Sequence, residues 1–247
     1  MKRFSLNVLS VLLWILFILS CLILTPVLLA LWFLTFLFDK NLWLVHRFSC
    51  FWGALYIWMV PLWSLKITGR EKLNDKHVKI MVSNHQSFAD ILVVNSLFRH
   101  FRWTSKVENF RLPFVGWVLS INRSIRIYRG AGDAFQRFKD QSVKSLSEGN
   151  SLVIFPEGTR SRTGEMGKFK EGAFMLALQT KTDIYPMVLD GTSKAIPRSG
   201  WALTGRQKMV LKVLDPVPYE SFKDDKPAEL AEKVHSIIET ALKELRK

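Results

Sequence analysis

The residues able to do chemistry concentrate in two short stretches. The first, IMVSNHQSFADILVV, sets His85 and Asp90 five positions apart, between a β-branched run and a segment with helical spacing. Polar groups at such a strand-to-helix exit can stand at the end of a sheet without breaking its core, a usual place for a site. An imidazole can take up a proton near neutral pH, and a carboxylate on its other ring nitrogen fixes the tautomer and stabilises the cation. Five positions is too far for neighbours on one continuous helix. A turn over residues 86–88, with Asp90 in the first helical turn, folds the carboxylate back to the ring. By itself the pattern suits equally well an Asp90 that stabilises a helix N-terminus beside a loop histidine.

The second stretch, LVIFPEGTRSRTG, reads as a buried strand leaving into Pro156, Glu157, Gly158, Thr159, Arg160 and Ser161. Glu157 can accept hydrogen bonds from a ligand hydroxyl, and Gly158 lets the main chain approach a ligand closely. Arg160 and Arg162 carry planar donor forks suited to phosphate. The stretch therefore reads as a loop for phosphate and hydroxyl groups, against the plainer alternative of a strand exit with a surface Glu-Arg pair. It lacks the glycine-rich run ending in Gly-Lys-Ser or Gly-Lys-Thr, so kinase and ATPase readings lose support.

Metal chemistry finds little footing. No second histidine or carboxylate stands at ligand spacing around His85 and Asp90, which counts against a metal-dependent hydrolase that uses them as ligands. The two cysteines, Cys21 and Cys50, lie in apolar stretches and imply neither a zinc site nor a disulfide framework.

Short β-branched runs alternating with helical periodicity place these stretches in an α/β domain. The runs at 79–83, 102–106, 124–128, 152–155, 184–188 and 209–214 are expected as strands. Phe135, Phe138 and Leu146 share one face of a helix that Gly149 ends. Leu230, Val234, Ile237, Ile238, Ala241 and Leu245 form the stripe of a last surface helix. These stripes are core packing.

Before this domain the composition differs. Residues 4–38 and 48–65 contain no charged residue, and six of the nine tryptophans (Trp14, Trp32, Trp43, Trp52, Trp58, Trp63) fall in this first quarter. Amphipathic indole rings suit the headgroup level of a bilayer, so residues 1–65 are expected as a membrane-anchoring helical segment and 66–247 as the α/β domain. A helix over 4–38 would be roughly 52 Å long, more than a hydrocarbon core of about 30 Å. It must tilt, break or project, and Thr25-Pro26 is the expected place for a kink or reversal. A spanning and a re-entrant anchor both fit. The apolar run is too long for a signal-peptide core and no small-residue cleavage site follows, so the anchor is expected to be retained.

The net charge is +14, and residues 66–247 carry 31 basic against 20 acidic residues. Such a surface suits anionic headgroups, acidic partners or nucleic acid. Basic residues on both sides of the apolar segment put both of its ends, and the catalytic domain, on the cytoplasmic side, which calls for a hairpin or an even number of spans.

NHQSFAD followed some 65 residues later by FPEGTRS resembles the glycerolipid acyltransferase superfamily, most closely its bacterial 1-acylglycerol-3-phosphate acyltransferases. The similarity extends through SKVENFRLPFVGW, the Arg129 after IRIY, FKEGAF and YPMVLDGT, and covers about residues 79–192. The resemblance implies a mixed sheet flanked by helices behind an N-terminal apolar helix motif. It implies that His85 and Asp90 form the catalytic dyad and that Glu157 and Arg160, within the Glu157–Gly158–Thr159–Arg160 loop, bind the glycerol and phosphate of the acceptor. It also implies that Lys106 and Arg129 stand near that phosphate. The chain departs from the family at Asn122-Arg123 and at Tyr128.

The function expected on this basis is transfer of an acyl group from acyl carrier protein or coenzyme A to the sn-2 hydroxyl of a lysophosphatidate at the membrane. No metal, cofactor or nucleic acid is called for, and no acyl-enzyme. A different lysophospholipid or lyso-aminolipid acceptor is the nearest alternative. A basic, membrane-tethered module for anionic lipid or nucleic acid is the more distant one, and it leaves both motifs unexplained.

Overall fold

The computed structural model describes residues 3–130, 132–161, 165–196 and 202–247. Two apolar helices come first, α1 (Arg3–Thr35) and α2 (Trp43–Met59). They form an antiparallel hairpin in which Ser20 meets Tyr56 and Leu28 packs with Val45. The chain does not reverse at Pro26. A proline removes one intrahelical bond, but Cys21 and Leu24 before it and Leu28 and Leu31 after it are all packed, which holds the helix on course. The reversal falls instead at residues 36–42, where the two Asp39 carboxylate oxygens accept the main-chain N–H groups of Trp43 (2.7 Å) and Leu44 (2.9 Å) at the start of α2.

Seven strands follow among the described residues: β1 (Trp63–Thr68), β2 (Ile80–Ser83), β3 (Arg102–Lys106), β4 (Ile125–Ile127), β5 (Leu152–Ile154), β6 (Ile184–Asp190) and β7 (Gln207–Val213). They make one mixed sheet in the order β1-β7-β6-β2-β5-β3-β4, parallel throughout except where β6 meets β7. Six of these strands lie on the expected runs. The added one, β1, crosses the boundary expected at residue 65, so the apolar first segment and the α/β domain share a strand. Its one-sided alternation of Trp63, Leu65 and Ile67 against Ser64, Lys66 and Thr68 is hidden by the apolar run that precedes it.

The remaining helices are α3 (Ala89–Asn95), α4 (Val115–Ile121), α5 (Ala134–Ser147), α6 (Gly172–Thr180) and α7 (Pro227–Leu245). Phe138 of α5, Phe174 of α6, and Leu230, Val234 and Ile238 of α7 cover one face of the sheet. Ile57 of α2, Val93 and Val94 of α3, and Phe101 cover the other.

The hairpin is fastened to this domain along its length. Near one end of α1 the Ser10 hydroxyl accepts the N–H of Leu203 (2.7 Å), and Leu9 and Leu13 pack into the sheet core. Mid-helix, Phe17 and Cys21 meet Phe114 and Val118 around α4. At the hairpin turn, Arg102 is 2 % exposed and donates to the carbonyls of Asn41 (2.8 Å) and Asn122 (3.0 Å), while Arg123 donates to that of Lys40 (3.1 Å).

Candidate active site

β2 and β5 are adjacent and parallel, with Val82 opposite Ile154, so the segments that follow them leave the same sheet edge side by side. That register brings the two motifs together. β3, which ends in Lys106, and β4 open onto the same edge.

After β2 the chain turns sharply into α3, and Asp90 sits in the first helical turn. Its Oδ2 accepts the N–H groups of Gln86 (2.6 Å) and Ser87 (2.8 Å) and lies 2.7 Å from His85 Nδ1. Through one oxygen Asp90 therefore holds both the turn ahead of α3 and the imidazole, while the start of α3 itself has no side-chain cap. The carboxylate is fully buried. With Nδ1 engaged by Asp90, Nε2 is the nitrogen available to the cavity that His85 lines.

The neighbouring side chains fix this loop. Asn84 bonds Leu189 of β6 through both its amide groups, donating to the carbonyl and accepting the N–H (2.8 Å each). Gln86 Nε2 donates to the same Leu189 carbonyl (3.0 Å), and the Ser87 hydroxyl donates to the carbonyl of Ile196 (2.8 Å). The His85 ring stacks on Phe155 with centroids 4.1 Å apart. Asn84, Gln86 and Phe155 carry no chemical pattern of their own in the sequence. Their only signal was adjacency to the motif residues.

Glu157 departs from its expected place. It is buried, and its two oxygens accept main-chain N–H groups, Oε1 from His85 (2.7 Å) and Oε2 from Gly167 (2.9 Å). Burial pushes its carboxyl up from the ordinary range, against the lowering effect of those two hydrogen bonds. It does not line the cavity. The residues after it do: Gly158, Thr159 and Arg160 form one wall, with Lys106 and Asn109 also lining the cavity. Gly158 has φ +66°, and a side chain there would also press on Lys170. Arg129 is exposed, lies outside the cavity lining and donates to the Gly158 carbonyl, bracing the loop from behind. Arg162 lies outside the described residues.

The amides closest to His85 are occupied. Those of His85, Gln86 and Ser87 serve Glu157 and Asp90, and that of Gly158 serves the Phe155 carbonyl (3.0 Å). The cavity measures about 290 Å³. Through Phe88, Ile91, Trp103, Val115 and Leu119 it shares walls with a second, almost wholly apolar cavity of about 150 Å³ enclosed by α1, α2, α3 and α4. Among the described residues no group of three or more His, Cys, Asp or Glu side chains is arranged to hold a metal ion.

Residues 64–190 match the Acyltransferase family model, slightly more than half of the chain. The chain belongs to the acyltransferase family. Among acyltransferase relatives, the chloroplastic 1-acyl-sn-glycerol-3-phosphate acyltransferase of Arabidopsis thaliana is 35% identical over 62% of this chain and 42% of its own length. The chain thus spans less than half of that plant relative. The 1-acyl-sn-glycerol-3-phosphate acyltransferase of Haemophilus influenzae is 29% identical over 95% of both chains. The fold matches the crystal structure of the 1-acyl-sn-glycerophosphate acyltransferase of Thermotoga maritima with a TM-score of 0.80, 22% identity, and 100% and 98% of the two chains covered.

Proposed function

We propose that this acyltransferase moves an acyl group from acyl carrier protein or coenzyme A to the sn-2 hydroxyl of 1-acyl-sn-glycerol-3-phosphate, giving phosphatidic acid. The observation that carries the reading is the His85–Asp90 pair aimed into a cavity with Lys106 and Arg160 in its lining and apolar space behind it. Relatives named for this activity, one of them matched over nearly its full length, support the choice of acceptor.

In this mechanism His85 Nε2 takes the proton of the acceptor hydroxyl as its oxygen attacks the thioester carbonyl, a contribution of about 10² to 10⁴ in rate. Asp90 holds the ring and stabilises the imidazolium. When the tetrahedral intermediate collapses, the C–S bond breaks and the proton passes from Nε2 to the departing thiolate. A thiolate is a good leaving group, so the step needs no metal and no acyl-enzyme. Arg160 and Lys106 clamp the acceptor phosphate and so turn binding energy into orientation of the hydroxyl. Because the amides around His85 are committed, Thr159, whose N–H and hydroxyl have no partner among the described residues, is the donor assigned to the oxyanion. Glu157 acts through the loop it holds, not through the ligand.

The hairpin serves as the membrane anchor. α1 is long and apolar enough to cross a bilayer, yet it is fastened to the α/β domain near Ser10, at Phe17 and Cys21, and again beside Leu28. Crossing would draw the domain into the hydrocarbon with it. An anchor lying in one leaflet is the arrangement this packing favours, and the basic residues on both sides of the apolar segment are the support for a cytoplasmic α/β domain.

The test is purified protein in detergent with lysophosphatidate and acyl-acyl carrier protein or acyl-coenzyme A, followed for phosphatidate. Equal turnover of lysophospholipids without a terminal phosphate would overturn the assigned acceptor. Loss of activity on adding chelator would overturn the metal-free mechanism.

A further inference from the structure

Beyond α2, the large apolar side chains left exposed among the described residues are Phe88 (46 %), Leu112 (49 %), Trp117 (51 %) and Val143 (39 %). Val143 stands alone on α5, on the far face of the sheet. The other three are together. Phe88 and Leu112 are themselves walls of the His85 cavity, and Trp117 lies in the first turns of α4 beside Val115, another wall residue.

The main chain at this place is held in an unusual form. Phe114 has φ +59° and ψ −58°, and the N–H of Val115 bonds the carbonyl of Pro113 at 2.6 Å, which makes a strained γ-turn centred on a bulky residue. The turn sends the Phe114 ring inward, to the cluster around Cys21, Trp52 and Tyr56 of the hairpin. Leu112 and Trp117 on either side of it are left facing out. Leaving two large apolar groups in water has a cost of its own, so local strain together with exposure calls for something to cover them.

The sequence indicates what the cover is. Residues 112–122 carry no charge, while Arg111 and Arg123 flank them. An uncharged apolar insert with a tryptophan, bracketed by arginines, matches a segment that dips into the boundary between headgroups and acyl chains. α4 also packs directly on α1 and α2, whose outer faces expose a long series of apolar residues, so the patch continues the surface of the anchor.

We propose that Leu112 and Trp117 form a membrane-inserted lip, in the same leaflet as the α1–α2 hairpin, that joins the bilayer interior to the mouth of the His85 cavity. A lysolipid then reaches the site by lateral diffusion, its chain passing over Leu112 and Phe88 without crossing water while its phosphate stays at headgroup level. The identity of that lysolipid rests on the acyltransferase reading above. Insertion of the lip does not.

Two measurements on the full-length protein test this. In a Cys21→Ala, Cys50→Ala background, an environment-sensitive NBD label is attached at Trp117→Cys and, as a control, at Lys243→Cys on the exposed side of α7. On binding to mixed phosphatidylglycerol and phosphatidylethanolamine vesicles, the label at 117 is expected to shift to the blue and to be quenched by acyl-chain spin-labelled lipid, and the label at 243 to do neither. A water-like label at 117 on vesicle-bound protein would overturn the lip. In the second measurement, Trp117→Ser is expected to acylate lysophosphatidate in detergent micelles within about twofold of the unmodified protein, and to lose at least about fivefold when the lipid is embedded in vesicles. Equal loss in both, or none in either, would also overturn it. If the unmodified protein makes no phosphatidate in either form, the acyltransferase reading fails and the fluorescence result still decides the lip.

Discussion

The Glu157 carboxylate accepts the main-chain N–H of His85 at 2.7 Å and that of Gly167 at 2.9 Å, tying the two signature loops together from a buried position outside the cavity lining. Glutamine at this position can accept only one of those bonds and presents an amide to the other N–H. A buried N–H left unpaired costs about 1 to 3 kcal/mol. Glu157→Gln is therefore expected to lower kcat by about tenfold or more through misplacement of His85, with the acceptor KM little changed. Steady-state kinetics over a range of lysophosphatidate concentrations separate this from a ligand-binding role, which would raise KM at constant kcat.

On the proposed mechanism, His85→Ala removes the general base and Asp90→Asn removes the charge that stabilises its protonated form. Each is expected to reduce turnover by about 10² to 10⁴. Asp90→Asn keeps an oxygen for the Gln86 and Ser87 N–H groups but puts an amide NH2 where the buried, partnerless Oδ1 stands, so its thermal unfolding is expected to move as well, whereas that of His85→Ala stays close to the parent. Calorimetry beside the activity assay resolves the two effects.

The two arginines of the family pattern are not equivalent here. Arg160 lines the cavity, and Arg129 braces the Gly158 carbonyl from outside it. Arg160→Ala is expected to raise the acceptor KM by about tenfold or more, since a charge-assisted phosphate contact is lost. Arg129→Ala, at an exposed position, is expected to stay within about threefold. Comparable KM changes for both would refute the assignment.

His100 gives the protein an acid-sensitive joint. Its ring stacks on Trp43 of α2 with centroids 5.0 Å apart and bonds Asn150 at 2.9 Å. Burial, helped by nearby Arg102 and opposed by the Asn150 bond, pushes it down to about 4. A histidine depressed in the folded state binds its proton more readily when unfolded. Its contribution is therefore present above the ordinary histidine range and is lost as pH falls from about 6.5 towards 4, by at most about 3 kcal/mol. Urea midpoints at pH 7 and pH 5 are expected to differ more for the parent than for His100→Gln.

At Gly116 a β-carbon would stand 2.2 Å from the carbonyl oxygen of Phe110, so α4 can approach the preceding 3-10 turn only because the residue is glycine. Gly116→Ala is expected to destabilise by about 1 to 3 kcal/mol as the chain shifts to relieve the contact. A melting temperature equal to that of the parent would refute the close approach.

Much of this is legible in the amino-acid sequence. Six strands lay on short β-branched runs, and the last helix buries Leu230, Val234, Ile238 and Ala241 of its expected stripe, because local periodicity reports which side faces a core. The turn that can bring His85 to Asp90 is legible as well, since it closes within six residues, but spacing alone suits a helix-start aspartate equally well and the fold decides between them. β1 is not legible, because its alternation merges with the apolar run ahead of it. Of the kink or reversal expected at Thr25-Pro26, the reversal falls elsewhere, at residues 36–42, since a proline's local penalty says nothing about packing on either side of it.

The sequence by itself determined the kinds of group present: an imidazole with a carboxylate in reach, basic forks for phosphate, and an uncharged, tryptophan-rich first quarter. What only the tertiary structure decided is which group faces the ligand and which faces the scaffold. Glu157 and Arg160 stand three residues apart in one motif, yet the first is turned into the protein to hold His85 and the second lines the cavity. That division depends on β2 and β5 lying side by side, a pairing across some 70 residues. Local spacing cannot encode it, because the burial of a side chain is a property of the strands and loops that close around it.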